Sequence, residues 1–192
     1  MESERVNKLV GQLLALTRLE SGAERVPPEM VALDEVVQQV VDDASYEAHP
    51  LNKEVKILQL DPCRMRGSVE LLRSGIENVI RNAIRYTAEG TAVEVSLTAK
   101  LDMALITVRD HGPGVPEAEL GHIFEPFYRV SEARERSSGG VGLGLSIAER
   151  TVKLHGGSIR AANAHDGLLI TIELPLSATP AISQPVVEKQ SA

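Results

Sequence analysis

The feature that most restricts how this chain can fold is a glycine-rich run at residues 139–146, GGVGLGLS, which leads directly into a predicted helix. Four glycines within six positions are more than a purely structural loop needs. The run lacks the G-K-[ST] ending of a P-loop and the spacing of a dinucleotide-binding turn, and no strand of a βαβ unit precedes it. The sequence therefore supports neither of those folds, although free amides ahead of a helix favour phosphate binding.

The composition indicates a domain with an aliphatic core. Of the 192 residues, 43% are hydrophobic but only 3% are aromatic, and tryptophan is absent. The formal net charge of -7 argues against a nucleic-acid partner. The single cysteine, Cys63, cannot form an intramolecular disulfide, and we assign it no chemistry. Because no apolar run is long enough to cross a bilayer and no signal peptide precedes the first helix, we expect a soluble fragment without membrane contact.

Hydrophobic periodicity predicts a mixture of helices and strands. Asp34 is the predicted N-cap of the second helix, and Gly156 the C′ residue of the last. The element order predicts an α+β fold, with helices on one face of a mixed, mostly antiparallel sheet. Helices are expected over residues 4–20, 34–48, 68–86 and 144–155, and strands over 54–60, 92–99, 103–109, 158–163 and 168–174.

The first predicted helix carries an apolar stripe of Val6, Leu9, Leu13 and Leu16. Two heptads are too few for a coiled coil standing alone, so the stripe needs a partner surface. That surface is either a helix from outside this chain or the globular domain, and we favour the first.

Two asparagines share one face of the predicted helix over residues 68–86. Asn78 and Asn82 are four residues apart, and Arg85 and Tyr86 continue their face. Carboxamide oxygens can bind Mg²⁺, and an arginine can bind a phosphate oxygen. The alternative is an ordinary solvated helix face. The opposite side is predicted to be core and consists of Leu72, Ile76, Val79, Ile80 and Ala83.

The segment DHGPG, residues 110–114, directly follows a predicted strand. Asp110 can accept a hydrogen bond from the exocyclic amino group of adenine, whereas guanine carries an acceptor there. Gly112 and Gly114 would let the backbone approach a flat base. The alternative is a simple turn.

The segment FEPFYR, residues 124–129, holds both phenylalanines of the chain and one of its three tyrosines. Such crowding in an aromatic-poor chain indicates an anchor for a mobile segment, which is compatible with a local core patch. Three arginines follow: Arg129 beside the anchor, and Arg134 and Arg136 in a charged loop. They are either solvated or positioned to approach a triphosphate, and the location of Arg129 favours the second.

The ordered set of motifs resembles the N, G1, F and G2 boxes of sensor histidine kinases over about residues 1–176. The runs IENVIRNAIRYT and FEPFYRVSEARERSSGGVGLGLSIAE are most similar to the envelope-stress sensor kinases of Gram-negative bacteria. The resemblance implies a Bergerat-type (GHKL) α/β sandwich that binds ATP and Mg²⁺. It implies catalytic roles for Asn78, Asn82, Arg85 and Arg129, with Asn78 and Asn82 at the metal. The nucleotide-binding residues that it implies are Asn78, Asn82, Arg85, Tyr86, Asp110, Gly112, Gly114, Gly140, Gly142, Leu143, Gly144 and Leu145.

The implied activity is protein histidine kinase activity, with transfer of the γ-phosphoryl group of ATP to a histidine and relay to an aspartate of a response regulator. The acceptor motif of the family, a histidine followed by an acidic residue on the first dimerisation helix, is absent from this sequence. We expect a dimerisation and phosphotransfer domain and a response regulator as partners, and a homodimeric parent in the inner membrane with this domain in the cytoplasm. None of the five histidines lies in the acceptor context: His49, His111, His122, His155 and His165.

The domain organisation follows from the same comparison. Residues 1–22 are expected to be the C-terminal part of the dimerisation helix, and residues 23–30 a linker. Residues 31–176 form the expected catalytic ATP-binding domain, and residues 177–192 a disordered tail.

Two other functions compete with the kinase. The related hydrolytic ATPases of the gyrase, heat-shock chaperone and MutL type carry a glutamate base where this chain has Asn78. The neighbouring Glu77 is expected to point about 100° away around the helix. The second alternative is a nucleotide-binding module that regulates a partner without catalysis.

Overall fold

The computed structural model describes residues 29–130 and 141–177. Within these ranges the helices and strands follow the order that the periodicities predict. Strands 54–60, 103–109 and 158–163 are confirmed without change, and two further strands extend one residue beyond their predicted ends. The elements are β1 (Glu29–Ala32), α1 (Leu33–Ala48), β2 (Glu54–Leu60), β3 (Arg64–Gly67), α2 (Val69–Tyr86), β4 (Ala92–Lys100), β5 (Met103–Arg109), α3 (Gly144–Leu154), β6 (Ser158–Asn163) and β7 (Leu168–Pro175), with short 3₁₀ helices at His49–Leu51 and Glu117–Glu119.

Five of the strands form one sheet in the order β2-β4-β5-β7-β6. Only β2 and β4 are parallel, and the other neighbours are antiparallel. The mixed, mostly antiparallel sheet of the predicted α+β fold is therefore confirmed. The register pairs Val95 with Val108, and Ile106 with Ile172, so that buried side chains of neighbouring strands share one face.

The core lies between that sheet face and the helices, and it is aliphatic as the composition predicts. The five apolar residues predicted for the inner side of α2 are all buried. The phenylalanines contribute little, since Phe124 is half-buried against the core and Phe127 is 59% exposed. The largest fully buried side chains include Leu33, Met65, Leu72, Ile80, Leu97, Ile106, Ile172 and Leu174.

A second, two-stranded sheet was not predicted from the sequence. Strand β1 pairs antiparallel with β3, and Val31 lies opposite Met65 with both side chains buried. Strand β3 is only four residues long, with Arg64 and Arg66 exposed. So short and so charged a segment carries too little periodicity to be recognised as a strand.

The predicted cap of the first described helix is wrong. Helix α1 begins at Leu33, and its cap position, Ala32, makes no side-chain hydrogen bond to the helix. The Asp34 carboxylate instead accepts a hydrogen bond from the Cys63 amide at 3.3 Å, which ties α1 to the chain before β3. Helix α3 ends at Leu154, one residue early, and Gly156 has the left-handed φ of +72° expected at C′.

The predicted opening helix at residues 4–20 lies outside the described residues, as does all but the first residue of the tail predicted over 177–192. In the part of the chain that is described, no helix is both long and apolar enough to cross a membrane.

The start of α2 is fixed by two contacts. The Ser68 hydroxyl accepts a hydrogen bond from the Leu71 amide at 3.3 Å, as an N-cap. The Ser68 amide donates to Nε2 of His155 at 3.0 Å, while Nδ1 of His155 donates to the Thr151 carbonyl at 2.8 Å. The beginning of α2 is thereby joined to the end of α3.

We predict that Ser68→Ala lowers the free energy of unfolding by about 1 kcal/mol, because the Leu71 amide loses its cap. Urea denaturation followed by circular dichroism measures this change. Ser74→Ala is the matched control within the same helix, where alanine has the higher helix propensity and stability should be unchanged or slightly increased. Equal losses in the two variants would contradict the capping role.

Candidate nucleotide-binding site

The two predicted metal-binding asparagines lie on one face of α2, opposite the buried stripe. The Asn78 Nδ2 donates to the Ser74 carbonyl at 2.9 Å, which fixes the orientation of the carboxamide. Its Oδ1 faces the start of α3, where a Cβ added to Gly144 would lie 3.2 Å away. Among the described residues, neither this oxygen nor the half-buried Asn82 carboxamide makes a hydrogen bond. Both side chains therefore retain oxygens for a ligand.

Arg85 and Tyr86 form the last turn of α2 on the same side. The Arg85 guanidinium carbon lies 5.6 Å from the centre of the Tyr86 ring, within the range of a cation–π contact. The Tyr86 side chain is 36% exposed, which leaves an aromatic surface beside a cation.

Glu77 points away from this face, as predicted. Its carboxylate pairs with Arg81 at 2.9 Å, and Arg81 pairs with Glu47 of α1 at 2.5 Å. The acidic residue next to Asn78 is therefore engaged between two helices rather than directed at the asparagine face.

The Asp110 carboxylate is buried at the end of β5, with 3% of the residue exposed. Its Oδ1 accepts hydrogen bonds from the Gly112 amide at 2.8 Å and from the Leu168 amide at 3.1 Å. Burial raises the pKa of Asp110, and these two amides act in the opposite direction. Within the described part of the chain, Oδ2 accepts no hydrogen bond. One oxygen thus holds the loop, and the other is left for a ligand.

The loop after Asp110 rests on the end of α2. The Thr87 hydroxyl, which is buried, accepts from the His111 amide at 3.0 Å and is 2.8 Å from the Thr91 hydroxyl. A Cβ added to Gly112 would stand 2.5 Å from the Tyr86 carbonyl oxygen, so this position has no room for a side chain. Gly114 has a φ of +69°, a left-handed conformation that favours glycine over residues with a side chain. Thr87 was not predicted, because a threonine after a helix carries no distinctive pattern.

The turn between β6 and β7 closes the other side of the Asp110 loop. Gly167 has a φ of +106°, and a Cβ there would lie 1.9 Å from the Asp110 carbonyl oxygen. The Asn163 carboxamide accepts from the Val115 amide at 2.9 Å and donates to the Val115 carbonyl at 2.7 Å. Neither residue was predicted, although an Asp-Gly pair between two strand-like runs is a recognisable turn signal.

The aromatic segment and the glycine-rich run meet through their backbones. The Phe127 amide donates to the Gly142 carbonyl at 2.8 Å, and a Cβ at Gly142, where φ is +80°, would lie 2.8 Å from the Phe127 carbonyl carbon. Phe127 itself has a φ of +66°. The backbone of the aromatic segment is thus fixed against the glycine-rich run.

Two predicted nucleotide-binding residues turn their side chains inward. Leu143 is buried with Ile147 in a small cluster beside Leu71 and Val141, and Leu145 packs partly against the main core. These side chains therefore contribute to packing, and a role in nucleotide binding would fall to their backbones. Arg129, the last residue of the aromatic segment, is half-buried, while Gly139, Gly140, Arg134 and Arg136 lie outside the described residues.

The fold and this arrangement define a class of protein. The sequence matches the family described as histidine kinase-, DNA gyrase B- and HSP90-like ATPase over residues 67–178. The chain belongs to this family, and its α+β fold is the nucleotide-binding GHKL fold that the motifs predict.

Similar proteins narrow the class to sensor histidine kinases. The chain is 36% identical to the sensor histidine kinase CpxA of Escherichia coli (strain K12) over 177 residues, which are 91% of this chain and 38% of that protein. It aligns with the mycobacterial sensor histidine kinase MprB at a TM-score of 0.67 and 29% identity, covering 78% of this chain and 97% of that one. It aligns with full-length ShkA in complex with AMPPNP at a TM-score of 0.79 and 27% identity, covering 94% of this chain and 38% of that one. The chain thus spans well under half the length of CpxA.

We predict that Gly167→Ala lowers the free energy of unfolding by about 3 kcal/mol or more, because the new methyl group meets the Asp110 backbone at a left-handed position. Thermal unfolding followed by circular dichroism is the measurement. Gly121→Ala is the matched control, since no atom lies within 4 Å of its added Cβ. A Gly167→Ala protein as stable as this control would show that the turn does not press against Asp110.

Proposed function

We propose that this chain is the catalytic domain of a sensor histidine kinase, which binds Mg-ATP and transfers the γ-phosphoryl group to a histidine of a dimerisation domain. The observation that carries the proposal is the buried Asp110 carboxylate, held through one oxygen and available through the other. The names of the relatives support the kinase assignment.

Adenine recognition follows from the chemistry of Asp110. An ionised carboxylate oxygen can accept from the adenine amino group, whereas the guanine carbonyl at the same position would be repelled. Gly112 and Gly114 have no side chains to obstruct a flat base. The Tyr86 ring and the Arg85 cation lie at the end of the neighbouring helix, where they would contact the nucleotide and a phosphate.

The residues present also fit a magnesium ion. Mg²⁺ keeps several waters and is held by few protein oxygens together with phosphates, and the Asn78 and Asn82 carboxamides offer such oxygens. When bound, the ion would neutralise charge on the phosphates. Gly140, Gly142 and Gly144 and the backbones of Leu143 and Leu145 would surround the phosphates at the start of α3. Arg129 would add a cation from beside the aromatic anchor.

Phosphoryl transfer requires positioning and charge stabilisation more than covalent chemistry from the protein. The domain would hold ATP with its γ-phosphoryl exposed, and the attacking imidazole would come from a separate dimerisation domain. We further propose relay to a response-regulator aspartate, and a homodimeric parent anchored in the inner membrane with this domain on the cytoplasmic side.

The alternative of ATP hydrolysis lacks a base in the described geometry. Asn78 cannot accept a proton from water, and the Glu77 carboxylate is turned about 100° away from Asn78 and pairs with Arg81. A purely regulatory nucleotide-binding module remains a separate hypothesis, which the transfer experiment below distinguishes.

We predict that Asp110→Asn weakens ATP binding about 100-fold, because an amide nitrogen in place of Oδ2 would face the adenine amino group. The wild-type protein should reject GTP, and competition against a fluorescent ATP analogue measures both effects. GTP that displaces the probe as well as ATP would contradict the role of Asp110.

The same variant should be at least as stable as wild type at pH 7. The raised pKa means that the folded state holds the Asp110 proton more tightly, so stability decreases as pH rises through that pKa. Asparagine keeps the acceptor for both amides and removes the buried charge. Asp166→Asn is the control with the opposite expectation. A hydrogen bond from His111 lowers the pKa of Asp166, so its ionised form favours folding at neutral pH and this variant should be less stable than wild type. Urea midpoints at pH 7 decide, and a large loss of stability in Asp110→Asn would contradict this account.

We predict that the wild-type chain transfers phosphate from labelled ATP to an added histidine-containing dimerisation domain, but does not label itself. The transfer should be slow without covalent tethering. Asn82→Ala and Arg85→Ala should abolish it, whereas Arg81→Ala, whose side chain pairs with Glu47 of α1 and with Glu77, should retain it.

The product should be acid-labile and base-stable. Release of inorganic phosphate without an acceptor would favour a hydrolytic ATPase, and ATP binding with neither reaction would favour the regulatory module. Stoichiometric labelling of the five histidines of the chain itself would contradict the need for a separate acceptor.

A further inference from the structure

We propose that Lys53 is a positioning residue that holds the nucleotide-binding end of α2 in place without contacting the nucleotide. This inference deepens the proposed function and rests on it. The observation that supports it is the position of the Lys53 ammonium. Lys53 lies in the loop between α1 and β2, and its ammonium contacts the last carbonyls of α2. The Lys53 Nζ donates to the Ile84 carbonyl at 2.8 Å and lies 3.3 Å from the Arg85 carbonyl.

These carbonyls need a partner because the helix ends abruptly. The Ala88 amide, which would continue the helix by bonding to Ile84, donates instead to the His111 carbonyl at 3.2 Å. Thr87, the C-cap residue, has an extended ψ of 143°. A cation at a helix C-terminus satisfies the free carbonyls and interacts favourably with the helix dipole. The ammonium of Lys53 does both from a residue more than thirty positions away.

The loop that carries Lys53 is itself fixed to the chain leaving α2. Asn52 has a left-handed φ of +55°, and its carbonyl accepts from the Gly90 amide at 2.8 Å. The Glu54 amide donates to the Thr91 carbonyl at 3.1 Å, at the start of the β2–β4 pairing. Since hydrogen bonds fix the main chain on both sides of Lys53, its backbone position is defined. From there its half-buried side chain reaches the end of α2.

The turn that Lys53 holds is the one that carries the candidate contacts. Arg85 and Tyr86 are its last two helical residues, and the Tyr86 carbonyl packs against Gly112. The Thr87 hydroxyl bonds to the His111 amide, next to Asp110. A shift of this turn would therefore move Arg85 and Tyr86. It would also weaken the contacts that support the loop after Asp110. Because small displacements in a binding site reduce affinity strongly, we expect Lys53 to affect ATP affinity through the position of this turn.

The first test is hydrogen exchange without nucleotide. Lys53→Met keeps the length and apolar stem of the side chain but removes the ammonium donors. It should speed exchange at the amides of Ala88, Gly90 and His111 more than elsewhere. Lys56→Met is the matched control, because the one pair that Lys56 forms within the described residues, with Glu54, is exposed. Unchanged exchange at the helix end, or a uniform increase throughout the domain, would overturn the proposal.

The second test is a double-mutant cycle on ATP affinity. Lys53→Met should weaken ATP binding about tenfold, the effect expected of a hydrogen bond from a charged donor. In an Arg85→Ala background the same change should cost much less, since the two residues act through one turn. Lys53→Arg, which keeps a charged donor, should recover most of the affinity, and Lys56→Met should bind like wild type.

Equal and additive losses in both backgrounds would overturn the positioning role, as would faster exchange in Lys53→Met with unchanged affinity. A wild-type chain that does not bind ATP would instead reject the proposed function. The exchange measurement would still report whether Lys53 clamps the helix end, so the two failures are distinguishable.

Discussion

The hydrogen bonds to Oδ1 of Asp110 are the interaction on which the arrangement of the site depends. A single buried oxygen accepts from the Gly112 amide, two residues on, and from the Leu168 amide at the start of β7. The strand that ends at Arg109, the loop that follows it and the β6–β7 turn are therefore joined at one atom. The second oxygen keeps its orientation because the first is fixed on both sides.

This arrangement has an energetic cost that is consistent with a binding role. A carboxylate in a buried position is disfavoured in its charged form, and two amide donors only partly offset that cost. A neutral side chain would hold the loop with less penalty. Perturbed pKa values of this kind are characteristic of functional sites. Among the described residues the second oxygen accepts no hydrogen bond, so a binding role would explain why the position carries a charge.

Helix α2 connects this loop, through its periodicity, to the face that carries the two asparagines proposed to bind the metal. Its apolar stripe packs on the sheet, and the same 3.6-residue repeat places Asn78 and Asn82 on the opposite face. That pattern is local, so the sequence was sufficient to predict the helix, its core and the asparagine pair. Alternation likewise defined the central strands, and composition defined the aliphatic core. The glycine motifs were recognisable because their spacing is local as well.

The contacts that sequence reasoning missed all join distant parts of the chain. Thr87 and Gly167 meet the Asp110 loop from opposite sides, and Lys53 reaches α2 from the previous loop. Thr87 and Lys53 have no periodic or motif signature, and the Asp-Gly pair at Gly167 indicates a turn without indicating that the turn contacts Asp110. Asp34 shows the converse error: it has the sequence context of an N-cap, but its carboxylate bonds to the Cys63 amide of a strand connection that no pattern predicted.

The chemistry that such a helix can support depends on which residue type occupies which face. A carboxylate at position 78 would be directed towards the start of α3, where it could act as a base for water. The chain instead places an amide there and a carboxylate at 77, and a step of about 100° around the helix directs that carboxylate towards α1. Arg81 then pairs with both Glu77 and Glu47, so the acid supports helix packing. With no base on the nucleotide side of α2, the γ-phosphoryl group would await a nucleophile from another domain, and the proposed function differs from hydrolysis by one position on one helix.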